Sequence, residues 1–217
     1  MDRNFTRSLA LVLKSEGGWS DNPKDPGGAT MKGVTLDTFR HYVQANGTKD
    51  DLRHITQAQL EAVYRAQYWD AVNASALPDG VDYAVFDFSV NSGPGRAAKY
   101  LQMVVGAKQD GQIGPATLQA VKAHPDTAII NSLCDLRLAF LKRLPTWGTF
   151  GKGWSDRVRS VRFAALVMVG QPALVQPSPS SIQTTAPMPK ATPPVEHGGF
   201  WAALAAIFKA IFGRKPA

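Results

Sequence analysis

The stretch from Gln171 to Val195 constrains this chain more than any other feature, because it is dominated by Pro, Ser, Thr and Ala. Such a composition buries too little apolar surface to offset the entropy of ordering the backbone. It reads as a disordered linker over 171–195, so a folded body must be assembled from the residues before it. The residues after it, 196–217, form a separate element. There Phe200, Trp201, Leu204, Ile207, Phe208, Ile211 and Phe212 fall on one helical face, with alanines and Lys209 opposite and Arg214-Lys215 following.

The body carries helical periodicity almost throughout. Phe5, Leu9, Val12 and Leu13 recur at helical spacing, and Gly17-Gly18 stops the pattern just after Glu16, which places Glu16 at a helix C-terminus. Residues 20–35 are rich in Gly, Pro, Asp and Asn and read as turns, with a short hairpin around Ala29 to Thr35. Thr56 and Gln59 make a capping-box pattern for a helix running towards Trp69. Val81, Ala84, Val85 and Phe88 favour a helix over 81–90, although the same residues suit a buried strand. Two short helices over 96–105 and 115–123, the second with Pro115 at its first position, precede a long helix from about Asp126 to Leu144. A Gly/Trp turn over 147–153 then leads to a last helix capped by Ser155. The expected fold is mainly α with a small hairpin.

The net charge of +7 is unevenly distributed. Residues 1–95 hold 9 Lys and Arg against 12 Asp and Glu, giving −3, and the remainder holds 15 against 5, giving +10. A basic half fits either docking on a polyanion, such as nucleic acid, anionic lipid or cell-wall polymer, or simply a solvated basic face. Cys134 is the only cysteine, which excludes an intramolecular disulfide and a Cys-rich zinc site and suits core packing. His41, His54, His124 and His197 show no metal-ligand spacing, and no phosphate-binding glycine fingerprint occurs, so neither a metal nor a cofactor is expected. The apolar run at Leu9 to Leu13 is too short for a secretory leader, so the expected route is synthesis in a host cytoplasm with release by another system.

Hydrolysis of a glycosidic bond needs a carboxylic acid to protonate the leaving oxygen, and a second carboxylate to activate water or attack the sugar. Glu16, at the negative end of a helix dipole and open to partial burial, suits the acid. Asp25, in a turn with Lys24 beside it, suits the ionised partner, and Thr30 and Thr35 supply nearby hydroxyls. Spacing alone favours a helix stop at Glu16 and a plain Asp-Pro-Gly-Gly turn with a side-chain cap. Trp19 beside Glu16 is the best aromatic for stacking on a sugar, whereas Trp69 suits the core.

The strings Glu16-Gly17-Gly18-Trp19, Asp25-Pro26-Gly27-Gly28-Ala29-Thr30 and Lys32-Gly33-Val34-Thr35 resemble the signature of glycoside hydrolase family 108, bacterial and phage N-acetylmuramidases. The similarity continues through Tyr64-Arg65, Tyr68-Trp69-Asp70, Leu77-Pro78 and Val81 to Gly95, and covers approximately residues 5–170. It implies a lysozyme-like helical fold, peptidoglycan as substrate, and Glu16 as the catalytic acid. The order Glu, Asp, Thr also resembles the phage-lysozyme arrangement, which points to Asp25 and Thr30 as catalytic, with Thr35 competing for the role of Thr30. Asn91 resembles the cleft-lining asparagine of lysozyme-like folds. Leu101-Gln102 with Asp110 to Leu118 is similar to a peptidoglycan-binding motif.

The expected organisation is a catalytic region over 1–95, a helical region resembling a peptidoglycan-binding domain over 96–170 and packed in the same body, the linker and the tail. The apolar face of the tail is about 13 residues, some 20 Å as a helix, short of the roughly 20 residues that cross a bilayer. It suits insertion into an anionic membrane or a lipopolysaccharide layer, with Phe200, Trp201, Leu204, Ile207, Phe208, Lys209, Ile211 and Phe212 as the contacts. The chain is then expected to act as a monomeric endolysin on the wall or in the periplasm, with no nucleic-acid partner. The competing readings are a non-catalytic wall or polyanion binder and a membrane-disrupting protein.

Overall fold

The computed structural model describes residues 4–21 and 28–170. Asp25, the linker and every candidate membrane contact in the tail lie outside the described residues.

Helix α1 (Phe5–Leu13) buries Phe5, Leu9 and Val12, the face read from the sequence, and ends before Gly17. Strands β1 (Trp19–Ser20), β2 (Thr30–Met31) and β3 (Val34–Thr35) form a small antiparallel sheet in that order. Trp19 pairs with Met31, and Thr30 pairs with both Ser20 and Thr35. The β2–β3 turn is Lys32-Gly33, with φ of 47° and 76°, the left-handed pair that a two-residue hairpin requires.

Helices α2 (Leu36–Tyr42) and α3 (Lys49–Arg53) follow. Helix α4 (Gln57–Tyr64) starts on the Thr56/Gln59 capping box, with both reciprocal hydrogen bonds formed. It widens into a π-helical turn over Arg65–Trp69. That turn sets the Tyr64 and Tyr68 rings 5.6 Å apart and sends Trp69 into an aromatic cluster with Phe5 and Phe86. Trp69 is core, as expected, and its indole N–H donates to Ser75 Oγ at 2.8 Å.

Helix α5 (Val81–Ser92) is buried along nearly its whole length, so its apolar run is a central helix rather than a strand. Asp82 ties its start: Oδ1 accepts from the backbone N–H groups of Gly80 and Tyr83, and Oδ2 accepts from Asn4 Nδ2. Around α5 pack α1, α6 (Pro94–Val104), α8 (Asp126–Lys142) and α9 (Trp147–Gly170), while α7 (Pro115–Lys122) begins on Pro115 as read. One cluster of buried residues runs from Phe5 to Met168, so the two halves share a core.

Helix α9 corrects one expectation. Trp147 to Gly153 is helical rather than a turn, and Ser155 lies inside the helix with Oγ donating to Gly151 O at 2.7 Å. The packing of Trp147 and Phe150 against buried Trp154 overrides the weak helix propensity of the glycines. The approach of α9 to α5 is close: Gly80 sits at φ +80°, and any Cβ there would overlap the carbonyl oxygen of Ala165.

Candidate active site

Glu16 lies just beyond the end of α1, where its backbone N–H donates to Leu13 O at 3.2 Å. Its main chain reaches the surface but its side chain is only 4% exposed. The carboxylate Oε1 faces Nη1 of Arg157, on α9, at 3.4 Å. On another side, a Cβ on Gly33 would fall 2.9 Å from Glu16 Oε2 and 2.5 Å from the Tyr64 hydroxyl. The β2–β3 turn therefore presses its bare backbone against the acid, which is why glycine occupies this left-handed position. Tyr64 clamps the turn by donating its hydroxyl to Lys32 O at 2.8 Å.

Arg157 is shared. Its Nε lies 3.2 Å from each oxygen of Asp87, and Nη2 donates to Asp87 Oδ2 at 2.9 Å. Asp87, on α5, also receives Arg137 Nη1, from α8, at 2.7 Å. All three side chains are buried, and with Glu16 they balance two positive against two negative charges. Buried ions of this kind persist only when paired and hydrogen-bonded. The two arginines hold the Asp87 carboxyl below its ordinary range despite its burial.

Glu16 behaves differently. Burial pushes its pKa above the ordinary carboxylate range, Arg157 pulls it back, and Asp87 adds to the rise. Desolvation wins because the Arg157 contact is long and the guanidinium is already committed to Asp87. Burial, one of the two influences read from the sequence, is thus the largest that favours the protonated acid. Buried Tyr64 and half-buried Tyr68 lie within electrostatic reach of Glu16, and burial and that nearby charge push both phenols upward.

The other sequence candidates have defined surroundings. Thr30 is 3% exposed, and its hydroxyl donates to Gly28 O at 3.3 Å. Thr35 is the N-cap of α2, where Oγ1 accepts from the Thr38 backbone N–H and pairs with the Thr38 hydroxyl. Thr35 is thereby held in a helix cap. Trp19 is half-buried, with the Arg53 guanidinium 4.5 Å from its ring centroid, so one face is already covered. Asn91 is buried on α5 one helical turn after Asp87, on the same face, and accepts from Ser92 Oγ at 3.3 Å.

Asp87, Arg137 and Arg157 were not among the residues singled out from the sequence. A signal was present: Phe86-Asp87-Phe88 and Leu136-Arg137-Leu138 each place one charge in an apolar helical run. Such a charge is found buried only when a partner meets it. Conversely, the polar atoms of the 102–117 motif serve the fold. Fully buried Gln102 reaches Asp110 Oδ1, Gln112 O and Thr117 Oγ1 through Nε2 and accepts from the Gly111 N–H.

Residues 9–93 match the family described as Glycosyl hydrolase 108. No curated protein matches the sequence. A solved structure titled "Structure of Brucella abortus SagA" is 46% identical, with a TM-score of 0.72, and the match covers 80% of this chain and 100% of that one. That match extends past the family region into the half that carries Arg137 and Arg157. With family signature, fold and a solved relative in accord, the chain belongs to the glycosyl hydrolase 108 family.

Proposed function

We propose that this protein cleaves the glycan strand of peptidoglycan as an N-acetylmuramidase, with Glu16 as the general acid and Asp25 as the ionised partner. Family membership supports a hydrolase of peptidoglycan. The observation that carries the assignment of the acid is the burial of the Glu16 side chain beside a guanidinium that is largely engaged elsewhere. A carboxyl in such a place stays protonated higher in pH than an exposed one, so it can deliver its proton to a leaving sugar oxygen. The Gly33 turn and Tyr64 restrict where the carboxyl can point. Asp25 would then activate water or attack the sugar from the opposite face.

The test is Glu16→Gln, which keeps the shape and removes the proton. Reducing-sugar release from purified peptidoglycan should fall by at least about a hundredfold, and retained release would overturn the assignment. Asp25→Asn in the same assay should also lose activity. The C-terminal segment has a delivery role in this reading, with Phe200, Trp201, Leu204, Ile207, Phe208, Ile211 and Phe212 engaging an anionic membrane or lipopolysaccharide surface and Lys209 its headgroups. The amphipathic pattern and flanking basic residues motivate it.

A further inference from the structure

Helix α4 ends at Tyr64, and the π-helical turn begins at the next residue. Such turns are rare and recur at functional sites. This one sets Tyr64 beside Tyr68, with ring planes tilted by 46°. Tyr64 is buried, so its hydroxyl needs a partner inside the core. A phenol has one proton to give and lone pairs with which to accept. The Tyr64 proton goes to Lys32 O at 2.8 Å, on a turn 32 residues earlier in the chain. Lys32 sits there at a φ of 47°, in the left-handed region that only glycine enters freely, so the turn gains from an outside tie. With its proton committed to Lys32, the Tyr64 oxygen can act towards its other neighbours only as an acceptor.

Glu16 is one of those neighbours. The point where a Cβ on Gly33 would stand lies 2.5 Å from the Tyr64 hydroxyl oxygen and 2.9 Å from Glu16 Oε2. The two oxygens are therefore no more than 5.4 Å apart, the sum of those distances, with the bare Gly33 backbone packed against both. Among the described residues, the charged and titratable groups around Glu16 are Arg157 from α9, Asp87 from α5 behind it, Tyr64 at the end of α4 and Tyr68 in the π turn. Arg157 favours the carboxylate, whereas an acceptor oxygen and a closed turn that keeps water away favour the carboxylic acid.

We propose that Tyr64 is a positioning residue for Glu16: its hydroxyl locks the Lys32-Gly33 turn over the acid and, with its proton spent on Lys32, offers the acid only lone pairs. This rests on the reading of Glu16 as the general acid. Tyr64 acts through the turn and the carboxyl rather than on the sugar. Without the hydroxyl the turn loosens, the Oε2 orientation is less restricted, and water reaches the carboxyl and favours its ionised form.

The test is Tyr64→Phe, which keeps the ring in the core and removes the oxygen. In reducing-end release from purified peptidoglycan, kcat should fall about tenfold with KM nearly unchanged, and the alkaline limb should move to lower pH. A carboxyl 13C NMR titration of the substrate-free protein, with Glu16→Gln identifying the Glu16 signal, should move in the same direction. Val121→Ala, a core truncation on α7, should lower the melting temperature and leave the Glu16 titration in place. An unmoved Glu16 titration in Tyr64→Phe, or an equal movement in Val121→Ala, would overturn the proposal. In the wild-type protein the Tyr64 hydroxyl proton should exchange slowly with water, and fast exchange would overturn the lock without any variant. Hydrolysis that survives Glu16→Gln would remove the acid assignment and leave both NMR readouts of Tyr64 intact, so the two failures are distinguishable.

Discussion

The charge balance around Glu16 makes a directional prediction for pH dependence. A general acid works only while protonated, so activity falls as pH rises through its titration, and the alkaline limb of kcat/KM reports Glu16. Arg157 lies 3.4 Å from the carboxylate with both side chains 4% exposed. At an effective dielectric constant near 20 that pair is worth about 5 kcal/mol. Asp87, held by the same guanidinium at 2.9 Å, opposes Arg157 at Glu16 and offsets roughly half of this. About 1.5–3 kcal/mol is left, equivalent to roughly one to two pH units. Arg157→Met should therefore move the alkaline limb upward by about that amount. Asp87→Asn should move it downward, because it removes a repelling charge and releases Arg157 towards Glu16. Each variant breaks a buried pair and should cost about 3–5 kcal/mol of stability, so profiles are taken at a temperature where circular dichroism shows both folded. The assay is reducing-end release from purified peptidoglycan across the pH range. An alkaline limb that stays put in Arg157→Met, or shifts the same way in both variants, would refute the electrostatic account.

Two further outcomes test the surroundings of the acid and the delivery of the enzyme. Gly33→Ala introduces a Cβ 2.9 Å from Glu16 Oε2 and 2.5 Å from the Tyr64 hydroxyl at a φ of +76°, so it should lower kcat about a hundredfold. The melting temperature should drop by only the degrees that about 1–3 kcal/mol of backbone strain implies, and full activity in a folded Gly33→Ala protein would rule out the turn as a constraint on the carboxyl. Deleting residues 196–217 should reduce flotation with vesicles containing anionic lipid while sparing hydrolysis of isolated peptidoglycan; undiminished flotation would remove the membrane role.

Local chemistry made much of the fold legible. The Thr56/Gln59 box, Pro115 at the start of α7, the α1 stripe and the hairpin around Lys32-Gly33 all depend on groups a few residues apart. They therefore leave marks in short windows of sequence. The misread segment at 147–153 shows the converse, since its glycines favour a turn until three aromatic side chains from successive turns pack together. The Thr35 hydroxyl caps α2 through Thr38, three residues on, which is again a local feature.

By itself the sequence determined which residue types were available for hydrolysis, where most of the longer helices lie, and that Glu16 stands where a helix stops. These follow from periodicity, capping and composition, which act over short distances. Only the tertiary structure decided what Glu16 is chemically. Arg157 reaches it from 141 residues away, and Asp87 meets Arg137 and Arg157 across separations of 50 and 70. No local pattern encodes such meetings. Burial, which raises the pKa of Glu16, belongs to the packed core as a whole, and the acid therefore depends on α8 and α9 as much as on the helix that precedes it.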